Sequence, residues 1–348
     1  MKVRLNVGVI GLGRLGRVYA ADLAQRVPNA RLVAVADLRA ELAESIARDY
    51  SVPKCYQTHQ ELLDDRDVEA VAVITSTSSH GEVVLDAVKR GKAIFCEKPI
   101  SISLADAVKM LQAVKTAGAF LQMGFQRRFD SAYVAAKMKI EAGAIGTPVL
   151  LISTSRDPYP PPLEFCDPRV SGGLIADMGI HDFDVARMFM GEVKSVYAIG
   201  GTLAYPEMKS VGDIDNAIIN MVFENEALGV VHLSRNAVFG YDIRAEVWGT
   251  QGSLQIGYFR QTPIRLMNKE GIIHDVVPHF MQRFESAYLA QIQDFVDNVL
   301  EGRQPSVTGA DAIAALRVSL AATMSVAEKR PIEVRDVEAK REKPIAAI

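Results

Sequence analysis

The chain has 348 residues, 49% hydrophobic and 23% charged, with a formal net charge of −3. That length predicts two domains with ample core, and the charge balance gives no electrostatic reason to expect nucleic acid or an anionic membrane as partner. Its three cysteines, Cys55, Cys96 and Cys166, lack CxxC or zinc spacing, which points to a reducing cytoplasm without a disulfide framework.

The N-terminal run Leu5-Asn6-Val7-Gly8-Val9-Ile10 is broken too soon by Gly11 for a signal peptide, so it reads as a first strand. No later segment is expected to span a membrane. Buried strands are predicted at Val7–Ile10, Leu32–Ala36, Ala70–Ile74, Ala93–Cys96 and Phe120–Met123. Helical spacing falls between them, at Leu15–Arg26, Ala40–Tyr50, Glu82–Arg90 and Leu104–Ala117. This alternation predicts an α/β fold with a doubly wound parallel sheet. After about residue 146 the rhythm changes. Val149–Ser155, Val193–Ile199, Ala217–Phe223, Gly229–Ser234, Ile243–Trp248 and Ser253–Ile256 follow one another as strands, and helices follow near Arg283–Glu301 and Gly309–Glu328. That predicts an α+β second domain with a large, mainly antiparallel open sheet. The expected division is a dinucleotide domain over 1–124, a substrate and oligomerisation domain over 125–336, and a tail over 337–348. The run Asp157-Pro158-Tyr159-Pro160-Pro161-Pro162 can be neither helix nor central strand and reads as a stiff loop.

Gly11-Leu12-Gly13-Arg14-Leu15-Gly16 is a GxGxxG between a predicted strand and a predicted helix, and a second strand ends at Asp37. Gly11 would allow the tight turn, Gly13 the approach of a pyrophosphate, and Gly16 close packing of helix on sheet. The helix N-terminus offers oriented N–H groups to phosphates. Asp37 would bind ribose hydroxyls and repel a 2′-phosphate, which favours NAD. Arg39 leaves NADP as a weaker alternative, and Arg14 either meets the pyrophosphate or is solvated. Cys96-Glu97-Lys98-Pro99 ends a strand at the sheet edge where ligands bind, so Lys98 is expected near the nicotinamide. Pro99 can fix the bend that aims it, through a cis bond.

Asp177 and His181 lie in Gly172-Gly173-Leu174-Ile175-Ala176-Asp177-Met178-Gly179-Ile180-His181, four apart, and are predicted one turn apart on a helix face. The pair is either an exposed polar contact or a carboxylate–imidazole unit for proton transfer. A zinc site is the other chemistry such a pair could serve, but no further Cys/His cluster or HExxH accompanies it, so no metal is expected.

With these runs, and with Thr75-Ser76-Thr77-Ser78-Ser79-His80 and Gly124-Phe125-Gln126-Arg127-Arg128-Phe129, the chain resembles the glucose–fructose oxidoreductase, inositol dehydrogenase and rhizopine-catabolism family over nearly its whole length. Within that family, Arg127-Arg128-Phe129-Asp130, Gly143-Ala144-Ile145-Gly146 and Ile180-His181-Asp182-Phe183-Asp184 look most like inositol 2-dehydrogenases. The resemblance implies a catalytic trio of Lys98, Asp177 and His181. The candidate cofactor contacts are Gly11, Gly13, Arg14, Leu15, Asp37, Leu38, Arg39, Ser76, Thr77, His80, Glu97, Lys98 and Gln126. It also implies a homo-oligomer, dimer or tetramer, formed through the second domain's open sheet.

The chemistry agrees with that assignment. Oxidising a secondary alcohol needs a base, for which a histidine is suited. Asp177 could orient it or bind a hydroxyl, and Lys98 could stabilise the developing alkoxide. Lys98 and Asp177 come from different predicted domains, so the site is expected in a cleft between them. Arg128, Asp157 and Tyr241 are candidate polyol contacts beside the trio.

The expected substrate is thus a cyclic polyol, myo- or scyllo-inositol. Two features depart from the inositol dehydrogenase pattern: Ser155-Arg156-Asp157, where a His and an Asn often flank the Arg, and the proline run with Tyr159. They keep a pyranose sugar 1-dehydrogenase as the alternative. A non-catalytic dinucleotide-binding sugar sensor is the reading from another class.

Overall fold

The computed structural model describes residues 4–257 and 260–338. The chain forms two compact units, Met1–Gln126 with Ser286–Ile313, and Arg127–Glu285 with Ala314–Ile348.

In the first unit β1 (Leu5–Ile10), α1 (Arg14–Gln25), β2 (Ala30–Ala36), α2 (Ala40–Asp49), β3 (Lys54–Tyr56) and α3 (His59–Asp64) come first. Then come β4 (Ala70–Val73), α4 (Thr77–Lys89), β5 (Ala93–Glu97), α5 (Leu104–Ala117) and β6 (Leu121–Gly124). The strands are parallel, in the order β3-β2-β1-β4-β5-β6. Val71, Ala72, Val73, Ile94, Phe95 and Cys96 are buried in unbroken succession, so both faces of the sheet are covered, as a parallel sheet requires. The short β3 and α3 were not expected. Three residues of strand carry too little periodicity to be seen, although Thr58 and Glu61 form a capping box that marks the start of α3.

Residues 286–313, which a single cut near 124 assigns to the second part, pack in the first unit. They supply aromatic and polar partners there. Tyr288 meets Tyr19 edge-on at 6.1 Å, and Phe295 lies 5.8 Å from Phe95. Gln122 is tied to Asp294 and Asn298 by hydrogen bonds of 2.9 and 3.1 Å.

The second unit contains α6 (Ser131–Glu141), β7 (Pro148–Arg156), the short helices α7 (Leu163–Cys166), α8 (Pro168–Ser171) and α9 (Gly173–Asp177), and then α10 (Gly179–Met190). β8 (Val193–Gly201), β9 (Asn216–Phe223), β10 (Leu228–Ser234), β11 (Asp242–Gly249) and β12 (Gly252–Ile256) follow, with a small hairpin of β13 (Leu266–Asn268) and β14 (Gly271–Ile273). The chain continues through α11 (Phe280–Glu301), α12 (Gly309–Glu328) and β15 (Ile332–Glu333). The large sheet runs β12-β11-β7-β10-β9-β8-β15. It is mixed: β7 and β10 pair in parallel, the other neighbours antiparallel. β9 alternates cleanly, with Ala217, Ile219, Met221 and Phe223 buried and Ile218, Asn220 and Val222 exposed. Helix α6 was not foreseen, because its apolar residues are spread around the axis. Its start is set by Asp130, whose carboxylate accepts the Ala132 and Tyr133 N–H groups and pairs with Arg283 at 2.7 Å.

Two further expectations need correction. Val337, assigned to a tail, is buried, and its carbonyl accepts a hydrogen bond from Arg317; residues 339–348 lie outside the described part. Helix α12 is long and apolar enough by composition to cross a bilayer, contrary to the expectation that no segment is. More than half of its apolar stretch is buried inside the protein, which is the signature of a core helix.

Candidate active site

The GxGxxG turn has the geometry its glycines allow. Gly11 has φ of 89°, and a Cβ there would lie 2.7 Å from the Ile74 carbonyl oxygen. A Cβ on Gly16 would lie 1.9 Å from the Gly11 oxygen, so only glycine lets α1 approach the turn. Gly13, which caps α1, has nothing within 4 Å of its Cβ position. That open space above a helix N-terminus fits a pyrophosphate. Arg14 is exposed beside it, and Leu15 is half-buried.

Asp37 closes the turn. Its carboxylate accepts the Leu12 N–H at 2.8 Å and the Arg39 N–H at 3.0 Å. The Arg39 guanidinium folds back on it at 3.1 Å. Burial alone would raise this carboxyl; the hydrogen bonds from Arg39 and Leu12 outweigh burial and hold it below its ordinary value. Arg39 is therefore engaged by Asp37. Leu38 is exposed next to it. Ser76 caps α4, in which Thr77 is the first residue, and the Ser76 hydroxyl lies 3.2 Å from those of Ser78 and Ser79.

Three candidate cofactor contacts are buried. His80 is buried, with Nδ1 2.8 Å from the Pro99 carbonyl and Nε2 3.2 Å from the Thr75 carbonyl. Burial depresses its pKa, with the Lys98 charge adding to that against the two carbonyls. Glu97 is buried too. It accepts hydrogen bonds from the Tyr19 hydroxyl and from the Lys98 N–H at 3.0 Å. Burial pushes its carboxyl up, with Tyr19 and Lys98 opposing. Gln126 is buried, and its Oε1 has no hydrogen-bond partner. Lys98 itself is half-buried at the end of β5, and the Lys98–Pro99 peptide is cis.

Asp177 and His181 do not share one helix. Asp177 ends α9, Met178 separates the two, and His181 lies in the first turn of α10. Met178 keeps right-handed helical angles, so the chain continues almost along the helical path. Gly172 and Gly173 both have positive φ, 84° and 75°. At Gly173 a Cβ would lie 2.7 Å from an Asp213 carboxylate oxygen. That oxygen accepts the Leu174 N–H at 2.9 Å. The glycine pair thus serves both a sharp turn and a close approach.

The Asp177 carboxylate is 20% exposed and lies 3.3 Å from Arg235 Nη2. Arg235 is 1% exposed and stands 4.0 Å from Asp213, itself 3% exposed. Burial pushes the Asp213 carboxyl up to about 6, against the Leu174 N–H and Arg235. Asp213 and Arg235 carried no sequence signal of their own. They lie 39 and 58 positions from their partners Leu174 and Asp177, just before β9 and just after β10. A charge at the end of each of two neighbouring buried strands was the available hint.

Among the expected polyol contacts, Arg128 is held by Asp184 through two hydrogen bonds of 2.8 and 2.6 Å, which orients its guanidinium along α10. Tyr241 is buried edge-on to Phe284 at 6.4 Å, and burial and the Asp157 charge raise its phenol. Asp157 is half-buried, and its backbone joins Ser234 and Ala237. One group of possible metal ligands occurs among the described residues, His59, Glu82 and Asp86. Its Asp86 is already paired with Lys89 at 2.9 Å.

A parallel sheet in this strand order, with a glycine turn after β1 and an acid after β2, defines a dinucleotide-binding fold joined to a second unit built on a mixed sheet. Residues 5–125 match the family model described as an oxidoreductase family with an NAD-binding Rossmann fold, and residues 133–255 match the GFO/IDH/MocA C-terminal domain. The chain belongs to this oxidoreductase family. It is 41% identical to myo-inositol 2-dehydrogenase of Thermotoga maritima, over 96% of this chain and 99% of that one. It is 40% identical to scyllo-inositol 2-dehydrogenase (NAD(+)) of Bacillus subtilis, over 96% of this chain and 97% of that one. Among solved structures, it is similar to scyllo-inositol dehydrogenase from Lactobacillus casei with bound NAD(H) and scyllo-inositol. The TM-score is 0.91 at 30% identity, covering 95% and 99% of the two chains.

Two predictions follow from this geometry. Asp37→Ser removes the acceptor for ribose hydroxyls and the charge that repels a 2′-phosphate, and it frees Arg39. The ratio of kcat/KM for NAD to that for NADP is expected to fall; an unchanged ratio places the selectivity elsewhere. Asp213 has a folded-state pKa above its unfolded value of 3.8. The stability tied to its protonation is therefore present below that value and lost as pH rises through about 6. Asp213→Asn keeps the oxygen for Leu174 and does not titrate. By denaturant titration at pH 7.5 the variant is expected to be more stable than wild type by on the order of 2–3 kcal/mol, and the gap should close towards pH 4.

Proposed function

We propose that this protein oxidises a ring hydroxyl of a cyclic polyol, myo- or scyllo-inositol, to the ketone with NAD. The observation that carries the reading is identity of 40–41% over nearly the full chain to 2-dehydrogenases of both isomers. The open space at Gly13 and the carboxylate of Asp37 support NAD as the cofactor, and Arg39's engagement by Asp37 supports NAD over NADP.

The reaction removes a proton from oxygen and a hydride from carbon. NAD, when bound, supplies the hydride acceptor. His181 takes the hydroxyl proton, and its place in the first turn of α10 gives it a fixed backbone. Asp177 orients that imidazole or binds an adjacent hydroxyl. Lys98 donates to the reacting oxygen and stabilises charge as the proton leaves. Asp157 and Tyr241 are the polyol contacts in this reading. Arg128, already forked on Asp184, is instead given the task of holding α10.

The protein is further read as a cytoplasmic homo-oligomer, dimer or tetramer, assembled through the outer face of the large sheet. Ile199 opposes Ile218, and Val222 opposes Leu228 on that face. These four and Trp248 are exposed, an apolar surface of the kind that a partner covers. Free Cys55, Cys96 and Cys166 suit a reducing compartment.

The test is a panel of inositols and aldopyranoses with NAD, followed by absorbance of the reduced cofactor. Oxidation of myo- or scyllo-inositol is expected, and turnover of aldoses alone would replace the proposed substrate class. Lys98→Ala and His181→Ala should each lower kcat by about 10²–10⁴-fold. Their combined loss should be less than the product of the two, as both act on one oxygen, while NAD still quenches fluorescence. For the assembly, Ile218→Lys with Leu228→Lys should reduce the mass in light scattering to that of one chain. An unchanged mass would exclude this face.

A further inference from the structure

Asp177 is the outer end of a row of three charges that runs into the interior of the second unit. Its carboxylate is partly exposed, while Arg235 and Asp213 behind it are buried. The Arg235 guanidinium sits 3.3 Å from Asp177 and 4.0 Å from Asp213 and closes a bidentate fork on neither. A buried guanidinium needs a carboxylate; Asp177 and then Asp213 act on this one most strongly, and the Asp157 charge adds to them. Arg235 Nε and Asp213 Oδ2 have no hydrogen-bond partner, so no hydrogen bond joins these two groups directly. Asp213 also holds the start of α9 through the Leu174 N–H, and only a glycine at 173 lets it come so close. One buried carboxylate therefore holds an N–H in the first turn of the helix that ends in Asp177 and shares that residue's counter-ion.

We propose that Arg235 and Asp213 are positioning residues for Asp177, holding its carboxylate forward by dividing the guanidinium between two acids. This rests on the catalytic reading of Asp177 given above. With Asp213 neutral, the whole charge of Arg235 falls to Asp177 and draws it back towards the sheet. With lysine at 235, a point charge on a flexible stem replaces the guanidinium whose Nη2 faces both acids. Either change moves Asp177 without touching the substrate.

The experiment is a double-mutant cycle in the full protein with NAD and the inositol that it turns over. Asp213→Asn is expected to lower kcat for the polyol by about tenfold, as a small displacement of a catalytic group does, while the Kd for NAD stays within about twofold. In an Asp177→Asn background the same change should have no further effect on the residual rate, because Asp213 acts through Asp177. A merely structural role would give the full loss in both backgrounds, and that result overturns the inference. So does a wild-type rate for Asp213→Asn when Asp177→Asn is impaired. If Asp177→Asn turns over at the wild-type rate, the catalytic reading and the inference fall together. Arg235→Lys keeps the buried charge and enters the same cycle with the same outcomes.

Discussion

A guanidinium buried in a protein needs a carboxylate, and the second unit is arranged around that requirement. Arg127 is buried against Asp182 at 2.8 Å, and the Ser153 and Ser155 hydroxyls complete the shell of that acid. Arg128 forks onto Asp184. Asp182 and Asp184 are two residues apart on α10, which places them about 200° apart around the axis. Two ion pairs on such separated sides leave the helix no freedom to rotate. His181 is the neighbour of Asp182, so its direction follows from two pairs that take no part in the proposed chemistry. Breaking a pair of this kind by removing one partner typically costs about 3–5 kcal/mol, because the other charge stays buried.

The fold was legible where hydrophobic period and length agree. The predicted strands of the first sheet fall within two residues of those found, because buried parallel strands read as unbroken apolar runs. Short elements such as β3, and α6 with its scattered apolar residues, carry no such signal. The parallel pairing of β7 with β10 was invisible, since register between strands about eighty residues apart is set by tertiary contacts. At the site, Asp37, Lys98, Asp177 and His181 stood out by motif. What surrounds them did not. The partner of Arg128 and the pair behind Asp177 are long-range, and the break at Met178 is one residue wide in a run whose composition reads as a single helix.

Glu97 and His80 carry a general lesson about motif residues. Both belong to runs that point towards a cofactor, and both turn inward. Glu97 accepts the backbone N–H of Lys98, while His80 meets the carbonyl of Pro99. The peptide N–H of the lysine and the carbonyl of the proline after it are thus each held by a buried side chain. In the proposed chemistry the lysine places one ammonium against one oxygen, and a fixed backbone helps because its own four-carbon stem is flexible. Tyr19 and Gln291 extend the grip on Glu97 into α1 and α11, so the turn is anchored to the core of the first unit.

The same reasoning divides the two departures from the inositol dehydrogenase pattern. Ser155 donates to both oxygens of Asp182 and accepts from Arg127, so it completes a buried ion pair and is committed to the interior. Arg156, next along β7, points to the other face and meets His232 at 2.8 Å and Asp242 at 3.3 Å. Neither residue is available to choose between polyols. Tyr159 is: it is exposed on the proline loop and lies parallel to His279 at 6.4 Å, and His279 in turn lies 6.4 Å from Tyr241. Because Tyr241 borders Asp157 electrostatically, this row of rings links the loop to the proposed polyol contacts within one unit. The aromatic row, and not the Ser155 position, thus borders the proposed polyol contacts Asp157 and Tyr241.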